Sequence, residues 1–224
     1  MKPDRRIVCA TDFSPNARSA ADVAQAIALR LRVTLVLVHV TDEFHAFGEG
    51  TKDFRLALQK AKRRLRNEAK RVRRRGGKVV EVLLHGRVAE LALGDFIADS
   101  PPLLVVVSSV SKTAFDRWTL GSTSEHIAQH APVPTLVVRA PDRMLAWARQ
   151  ERRLNVVVAM DFSLSSDAAL ALVRTLRKVG SCAVTVAHIN WPPNAGKWAP
   201  GERLPLTSNP PRVRRLSLRE LRRK

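Results

Sequence analysis

The sequence predicts an α/β protein with an open parallel sheet and helices on both faces. Five short runs rich in Val, Ile and Leu are almost continuously apolar, which is typical of strands buried on both faces. Segments with helical periodicity separate these runs. Strands that alternate with helices require right-handed crossovers and hence a parallel sheet. The predicted strands cover residues 7–10, 34–40, 79–84, 103–107 and 135–138.

Local signals place the helices between these strands. The first helix begins at Ser14 and Pro15, which are favoured at the N-cap and first helical positions, and its apolar face continues to Leu31. The second helix has apolar residues at three- and four-residue steps over 54–72 and stops before Gly76 and Gly77. Two shorter helices are predicted over about residues 88–98 and 121–130.

The predicted order brings three loops together at one edge of the sheet. These are the turns after Ala10, Val40 and Val107. Open parallel sheets bind ligands beyond the carboxyl ends of their strands. We therefore expect a ligand site among these three turns.

The positive charge is concentrated in two segments. The chain has 39 Lys and Arg against 20 Asp and Glu, a net charge of +19. Residues 52–78 contain 13 basic and 2 acidic residues, residues 197–224 contain 9 and 2, and the remainder is almost neutral at 17 and 16. This pattern predicts a basic surface patch. It supports an alternative function, the electrostatic and non-specific binding of nucleic acid or another anionic surface through the second helix and the C-terminal tail.

An internal repeat follows the first five strands. Residues 7–40 align without gaps on residues 156–189, and Asp-Phe-Ser recurs at the same strand-to-helix turn, at 12–14 and 161–163. This indicates a duplication. The copy is incomplete, because the periodicity ends near residue 189. A lone βαβ unit cannot bury its faces, so it must pack on the first unit or on a partner chain.

The chain therefore divides into four predicted segments. Residues 1–141 form the first domain, 142–155 a linker with a helical pattern, and 156–190 the incomplete βαβ copy. Residues 191–224 form a Pro- and Gly-bearing basic tail.

The sequence lacks the motifs that are typical of several functional classes. Cys9 and Cys182 lie in apolar runs without metal-ligand or redox spacing. There is no GxxxxGK[ST] phosphate loop and no GxSxG nucleophile turn, so we expect no enzyme. No apolar run approaches the ~20 residues of a membrane span. The N-terminus has no signal-peptide pattern, and we expect a soluble, cytoplasmic protein without a membrane partner.

Five motifs resemble those of the universal stress protein family. They are the turns ATDFS and AMDFS, the strand end VHV, the Gly86 turn, and the stretch LGSTSEHIAQHAPVPTLVVR. The resemblance covers the first domain and the start of the copy, and indicates a tandem member with a shortened second domain. It implies a Rossmann-like fold of the adenine nucleotide alpha hydrolase type, a non-enzymatic role in stress response, a homodimer, and ATP as a ligand.

The phosphate loop departs from the family pattern Gly-x2-Gly-x9-Gly-Ser. Ser108 and Ser111 stand where the first two glycines are expected. Glycine permits a positive φ and close backbone approach, so we expect weak ATP binding. By resemblance, the residues that border adenine and ribose are Thr11, Asp12 and Val40, and those that border the phosphates are Ser108, Ser111, Gly121, Ser122 and Thr123.

Structural roles compete with these ligand roles. For Asp12, we weigh support of the turn that enters the first helix equally with a ligand role. For Asp161, we favour the structural role. Ser122 begins an S-x-x-E pattern, which a helix-capping box explains without any ligand. We interpret His39 and His188, near the ends of strands, as hydrogen-bonded and partly buried histidines.

Overall fold

The computed structural model describes residues 4–41, 51–86, 88–109 and 121–188. Within these ranges strands and helices alternate along the chain. The elements are β1 Asp4–Ala10, α1 Pro15–Leu31, β2 Thr34–Thr41, α2 Lys52–Arg73, β3 Val79–His85, α3 Ala89–Asp99, β4 Pro102–Ser108, α4 Ser122–His130, β5 Thr135–Val138, α5 Pro141–Ala148, β6 Leu154–Ala159, α6 Leu164–Val179 and β7 Cys182–Ala187.

The first five strands form one parallel sheet. Its strand order is β3-β2-β1-β4-β5. Strands β6 and β7 pair in parallel as a second, two-stranded sheet. The predicted fold class is therefore confirmed: five parallel strands in the first unit and an incomplete βαβ unit after it.

Helices cover both faces of the five-stranded sheet, because successive strand residues point to opposite sides. Ile7 and Cys9 of β1 lie in a core cluster with α1 and α2. Val8, between them, packs in a second cluster with Leu93 of α3 and Ile127 of α4. The chain thus places α1 and α2 on one face and α3 and α4 on the other.

Helix ends follow the local signals in the sequence. Ser14 caps α1 by accepting the Ala17 N–H at 3.1 Å, and Pro15 is the first helical residue. After α2, Gly76 and Gly77 have φ of 97° and 83°, a left-handed backbone that glycine adopts without a steric penalty. Both predicted boundaries are confirmed.

The second unit packs on the first. Trp147 of α5 is fully buried in the core cluster that also contains α1, and Val179 and Cys182 of the second unit belong to the same cluster. The Nε of Arg30 in α1 donates to the Val179 carbonyl at 3.2 Å. Of the two arrangements open from the sequence, the structure has the βαβ unit on its own first domain.

None of the helices in the described residues combines the length and apolar character needed to cross a membrane.

Candidate functional site

A cleft opens at the carboxyl ends of β1 and β4. Its volume is about 260 Å³. From β1 the chain continues into α1 on one face of the sheet, whereas from β4 it continues toward α4 on the other. Two neighbouring strands whose connections diverge in this way leave a crevice between them, which is where open α/β sheets bind ligands. The lining residues are Ala10, Thr11, Asp12, Val38, His39, Val40, Ala89, Leu93, Val107, Ser108, Gly121, Ser122, Thr123 and Ser124.

The structure brings most of the predicted site residues together. Those that line the cleft are Thr11, Asp12, Val40, Ser108, Gly121, Ser122 and Thr123. Ser111 lies outside the described residues. The other lining residues were not among the predicted site residues: Ala10, Val38, His39, Ala89, Leu93, Val107 and Ser124. The spacing of four between Ala89 and Leu93 signals a shared helix face, but nothing in that spacing shows that the face borders the cleft.

The turn after β1 is held by its own side chains. The Phe13 N–H donates to Thr11 Oγ1 at 3.0 Å, and the Ser14 N–H donates to Asp12 Oδ1 at 2.9 Å. These bonds support Phe13 at φ 66°, a left-handed conformation that costs an L-residue about 1–2 kcal/mol. The turn-supporting role of Asp12 is thus confirmed. Its carboxylate is exposed and also borders the cleft.

His39 contributes to the same turn. Its Nδ1 lies 2.7 Å from the Thr11 carbonyl oxygen, and its ring centroid lies 4.3 Å from that of Phe13. A carbonyl only accepts, so Nδ1 carries the hydrogen. The interpretation of His39 as a hydrogen-bonded, partly buried histidine is confirmed. His188 makes the equivalent bond to Met160 at 2.6 Å but is exposed.

The copy repeats this turn in a more open setting. Ser163 donates to Asp161 Oδ1 from its hydroxyl at 2.6 Å and from its N–H at 3.0 Å. These bonds, the hydroxyl bond foremost, lower the pKa of Asp161 to about 2. Phe162 has the same φ of 66° as Phe13. The concavity here measures about 530 Å³, and every residue that lines it belongs to the second unit.

The start of α4 differs from the capping box expected at Ser122. Gly121 is the N-cap residue, with φ −70° and ψ 151°, and Ser122 is the first residue of the helix. The N–H of Glu125 donates to the Gly121 carbonyl at 2.9 Å. A capping box needs serine in the extended N-cap position, so the capping interpretation is wrong. Among the described residues, no side chain caps α4, and the first turn of this helix borders the cleft.

Two hydrogen bonds hold α4 beside the cleft. Ser124 Oγ donates to the Ser108 carbonyl at 2.7 Å, which ties the helix to the end of β4. Thr123 Oγ1 donates to Glu90 Oε2 of α3 at 3.4 Å. Ser108 itself ends β4 and is not among the residues with positive φ. The backbone strain expected from serine in place of glycine is therefore absent at Ser108, and only the added side chain remains.

An open parallel sheet with helices on both faces and a cleft at this crevice defines the class: an α/β protein with a Rossmann-like fold. The family model described as "Universal stress protein family" matches residues 4–139. The chain belongs to the universal stress protein family. No curated protein matches the chain significantly.

Solved structures share this fold. The chain is similar to a universal stress protein from Archaeoglobus fulgidus at 21% identity, over 60% of this chain and 93% of that one, with a TM-score of 0.50. A universal stress protein from Archaeoglobus fulgidus DSM 4304 is 17% identical over 87% of this chain and 70% of that one, with a TM-score of 0.68. A universal stress protein in complex with cAMP is 22% identical over 60% of this chain and 96% of that one, with a TM-score of 0.50. The structural similarity to the protein from Archaeoglobus fulgidus DSM 4304 covers 87% of this chain, which is more than the residues 4–139 that the family model matches. The homodimer and the cytoplasmic location expected from the sequence stay predictions.

Proposed function

We propose that this universal stress protein is a non-enzymatic binder of an adenine nucleotide, with ATP as the expected ligand. The observation that carries the proposal is the start of α4, which has no side-chain cap and borders the cleft between β1 and β4. In this arrangement the phosphates lie against α4, and the adenosine lies toward the ends of β1 and β2.

Backbone groups supply the phosphate end of the site. The first N–H groups of a helix have no partner inside the helix, and the helix dipole places roughly half a positive charge there. Ser108 and Ser122 also line the cleft, and their hydroxyls are further hydrogen-bond donors. None of the described residues that line the cleft is Lys or Arg. Without a side-chain cation, we expect modest affinity.

Asp12 and Val40 supply the adenosine end. Val40 is a half-buried apolar residue at the end of β2, suited to contact with a base. Asp12 presents an exposed carboxylate, which accepts hydrogen bonds from ribose hydroxyls or an exocyclic amino group. The Thr11 hydroxyl already accepts from Phe13, so Asp12 is the side chain we expect to provide recognition.

The contacts of the ionisable groups in the cleft favour binding without turnover. His39 Nδ1 is engaged by the Thr11 carbonyl, and Asp12 Oδ1 by Ser14, so the ionisable groups of the cleft serve the turn.

A universal stress protein of similar fold forms a complex with cAMP, which supports an adenine ring as the shared feature of the ligand.

The test uses the duplication as its control. Asp12→Asn keeps the oxygen that supports the turn but removes the negative charge, and Asp161→Asn makes the same change in the copy. Isothermal titration of the full chain with ATP, and separately with cAMP, should show binding that Asp12→Asn weakens about 10- to 100-fold, the range for a hydrogen bond to a charged group. Asp161→Asn should bind like the unaltered protein. No binding of either nucleotide, or equal affinity in both variants, would contradict the proposal.

A further inference from the structure

The solvent-facing side of α2 carries a row of cations, here called the basic ladder. Its members are exposed and follow one another at four-residue steps, with Arg63 beside them. Residues four apart lie on one face of a helix. The ladder consists of Lys62, Arg66, Lys70 and Arg74.

Other cations of this segment have structural partners. Arg71 contacts Asp22 at 2.6 Å and Glu68 at 2.8 Å, which joins α2 to α1. Arg75 contacts Asp22 at 2.9 Å, and Arg73 contacts Glu81 of β3 at 3.0 Å. These pairs fix α2 on the sheet. Within the described ranges, the ladder residues make no ion pair, so their charges are not needed to hold the fold.

The ladder works against the stability of its own helix. Like charges at positions i and i+4 repel, and the ladder contains three such pairs in succession. A helix selected for stability alone would alternate acidic and basic residues at this spacing. A bound polyanion removes the repulsion, which indicates that the ladder serves an anionic partner.

The surroundings of the ladder favour double-helical nucleic acid over a lipid surface. A helix that enters a membrane interface does so with its apolar face, whereas Ala61, Leu65 and Val72 of α2 are buried in the protein. Binding of single strands commonly uses aromatic side chains for base stacking, but the only aromatic residue of α2, Phe54, is half-buried. Leu56, before the ladder, is the one large apolar residue of α2 that is exposed, at 54%. A charged face with a single exposed apolar residue fits a duplex backbone.

The dimensions also fit a duplex. Residues four apart on a helix are separated by about 6 Å along its axis, so the ladder is about 18 Å long. One DNA strand presents a phosphate about every 3.4 Å of helix axis, so this length faces roughly five phosphates. Two ladder residues are arginines, whose guanidinium groups suit phosphate oxygens. We propose that the outer face of α2 binds the phosphate backbone of double-stranded DNA independently of base sequence. This proposal is independent of nucleotide binding in the cleft.

The test measures the salt dependence of DNA affinity in the full chain. Fluorescence anisotropy with a labelled 25-base-pair duplex (about two and a half turns) should give affinities that fall steeply with KCl. Each neutralised phosphate contributes about −0.9 to the slope of log K against log salt. The quadruple variant Lys62→Gln, Arg66→Gln, Lys70→Gln, Arg74→Gln should reduce the steepness by about 3 to 4. Because the variant loses about one phosphate contact per substituted residue, its affinity for the duplex in 50 mM salt should fall at least 100-fold. A second duplex sequence should bind equally well.

A charge-matched control separates the ladder from net charge. Arg143→Gln, Arg149→Gln, Arg152→Gln, Arg153→Gln removes the same charge from exposed residues of α5 and the turn before β6. This control should keep the slope and affinity of the unaltered protein. An equal loss in both quadruple variants would overturn the proposal in favour of diffuse attraction.

Three further measurements address the remaining alternatives. The thermal midpoint of the ladder variant should change little, because the removed i,i+4 repulsion offsets the lost attraction of Lys70 and Arg74 to the C-terminal end of α2. The double variant Arg66→Gln, Lys70→Gln should show about half the change in slope. An unchanged slope in the folded double variant would sink the proposal. Phosphatidylserine vesicles that displaced the duplex at equal phosphate concentration would also overturn it, since they would identify a lipid surface as the better partner.

Discussion

At the scale of single residues, a buried carboxylate of α2 holds the arginine that joins α2 to Asp22 of α1. Glu68 of α2 is only 4% exposed and accepts from Arg71 at 2.8 and 3.1 Å. These bonds, with help from Asp22, raise the pKa of Arg71. Cys9 lies in the same core, where burial first, and then Glu68 and Asp22, raise its pKa to about 12. The thiol therefore stays protonated and unreactive at neutral pH.

We expect Glu68→Gln to lower the free energy of unfolding by about 1–3 kcal/mol, since Arg71 loses its charged acceptor while Asp22 still holds it. Urea denaturation followed by circular dichroism measures the change. Glu151→Gln, at an exposed position, should stay within about 0.5 kcal/mol of the unaltered protein. Similar losses in the two variants would show that the Glu68 bonds contribute little.

At the scale of elements, the sequence located every strand in the described residues, because apolar runs of this length have few alternatives in a parallel sheet. Helix starts were less secure. Thr51 accepts from the Phe54 N–H at 3.1 Å, so α2 begins at Lys52, before the apolar face predicted from residue 54. At α4, glycine and serine are both residue types found at the N-cap, so the sequence alone does not decide between Gly121 and Ser122. In the folded chain, the N-cap residue is Gly121.

The contact between α5 and the second unit depends on a glycine. A Cβ at Gly180 would lie 2.6 Å from the Trp147 carbonyl oxygen and 2.8 Å from its indole nitrogen. We expect Gly180→Ala to destabilise the protein by about 1–3 kcal/mol through overpacking. In α3, a Cβ at Gly94 would meet nothing within 4 Å. Gly94→Ala should stabilise by about 0.5–1 kcal/mol, since alanine favours a helix interior. Thermal denaturation of both variants checks the opposite signs, and a stable Gly180→Ala variant would show that the contact relaxes freely.

At the scale of the whole molecule, the two units share local structure but differ in what covers their sheets. Val8 of β1 is fully buried beneath α3 and α4. Its repeat counterpart, Val157 of β6, is 71% exposed. Phe13 is 8% exposed, with the Arg64 guanidinium 4.4 Å from its ring centroid, whereas its counterpart Phe162 is 57% exposed. The difference arises because α2, α3 and α4 of the first unit have no counterpart among the described residues of the second.

A matched pair of substitutions tests this difference. Val8→Thr places a hydroxyl in an apolar core and should cost about 1–3 kcal/mol in free energy of unfolding. Val157→Thr, the same change at the equivalent strand position, should cost less than about 0.5 kcal/mol because the side chain remains hydrated. Chemical denaturation of both variants provides the comparison. A large cost at Val157 would indicate that another part of the chain or a second molecule covers that face.

Local chemistry was therefore readable from the sequence alone. The apolar runs determined the strands, Ser14 and Pro15 the start of α1, and the repeated Asp-Phe-Ser the two strand-to-helix turns. Each depends on neighbours within a few residues. The strand-end rule predicted a ligand site among three turns, and the family resemblance named eight residues for it, of which seven line one cleft in the structure.

Tertiary packing decided the rest. Three features depend on helices that come together from distant parts of the chain. Ala89 and Leu93 line the cleft, the start of α4 has no side-chain cap, and Val8 is buried. Val8 and Val157 occupy the same place in a repeated sequence, yet one is core and the other is surface. Local sequence specifies which way a side chain points from its strand, but only the other layers of the fold determine whether water reaches it.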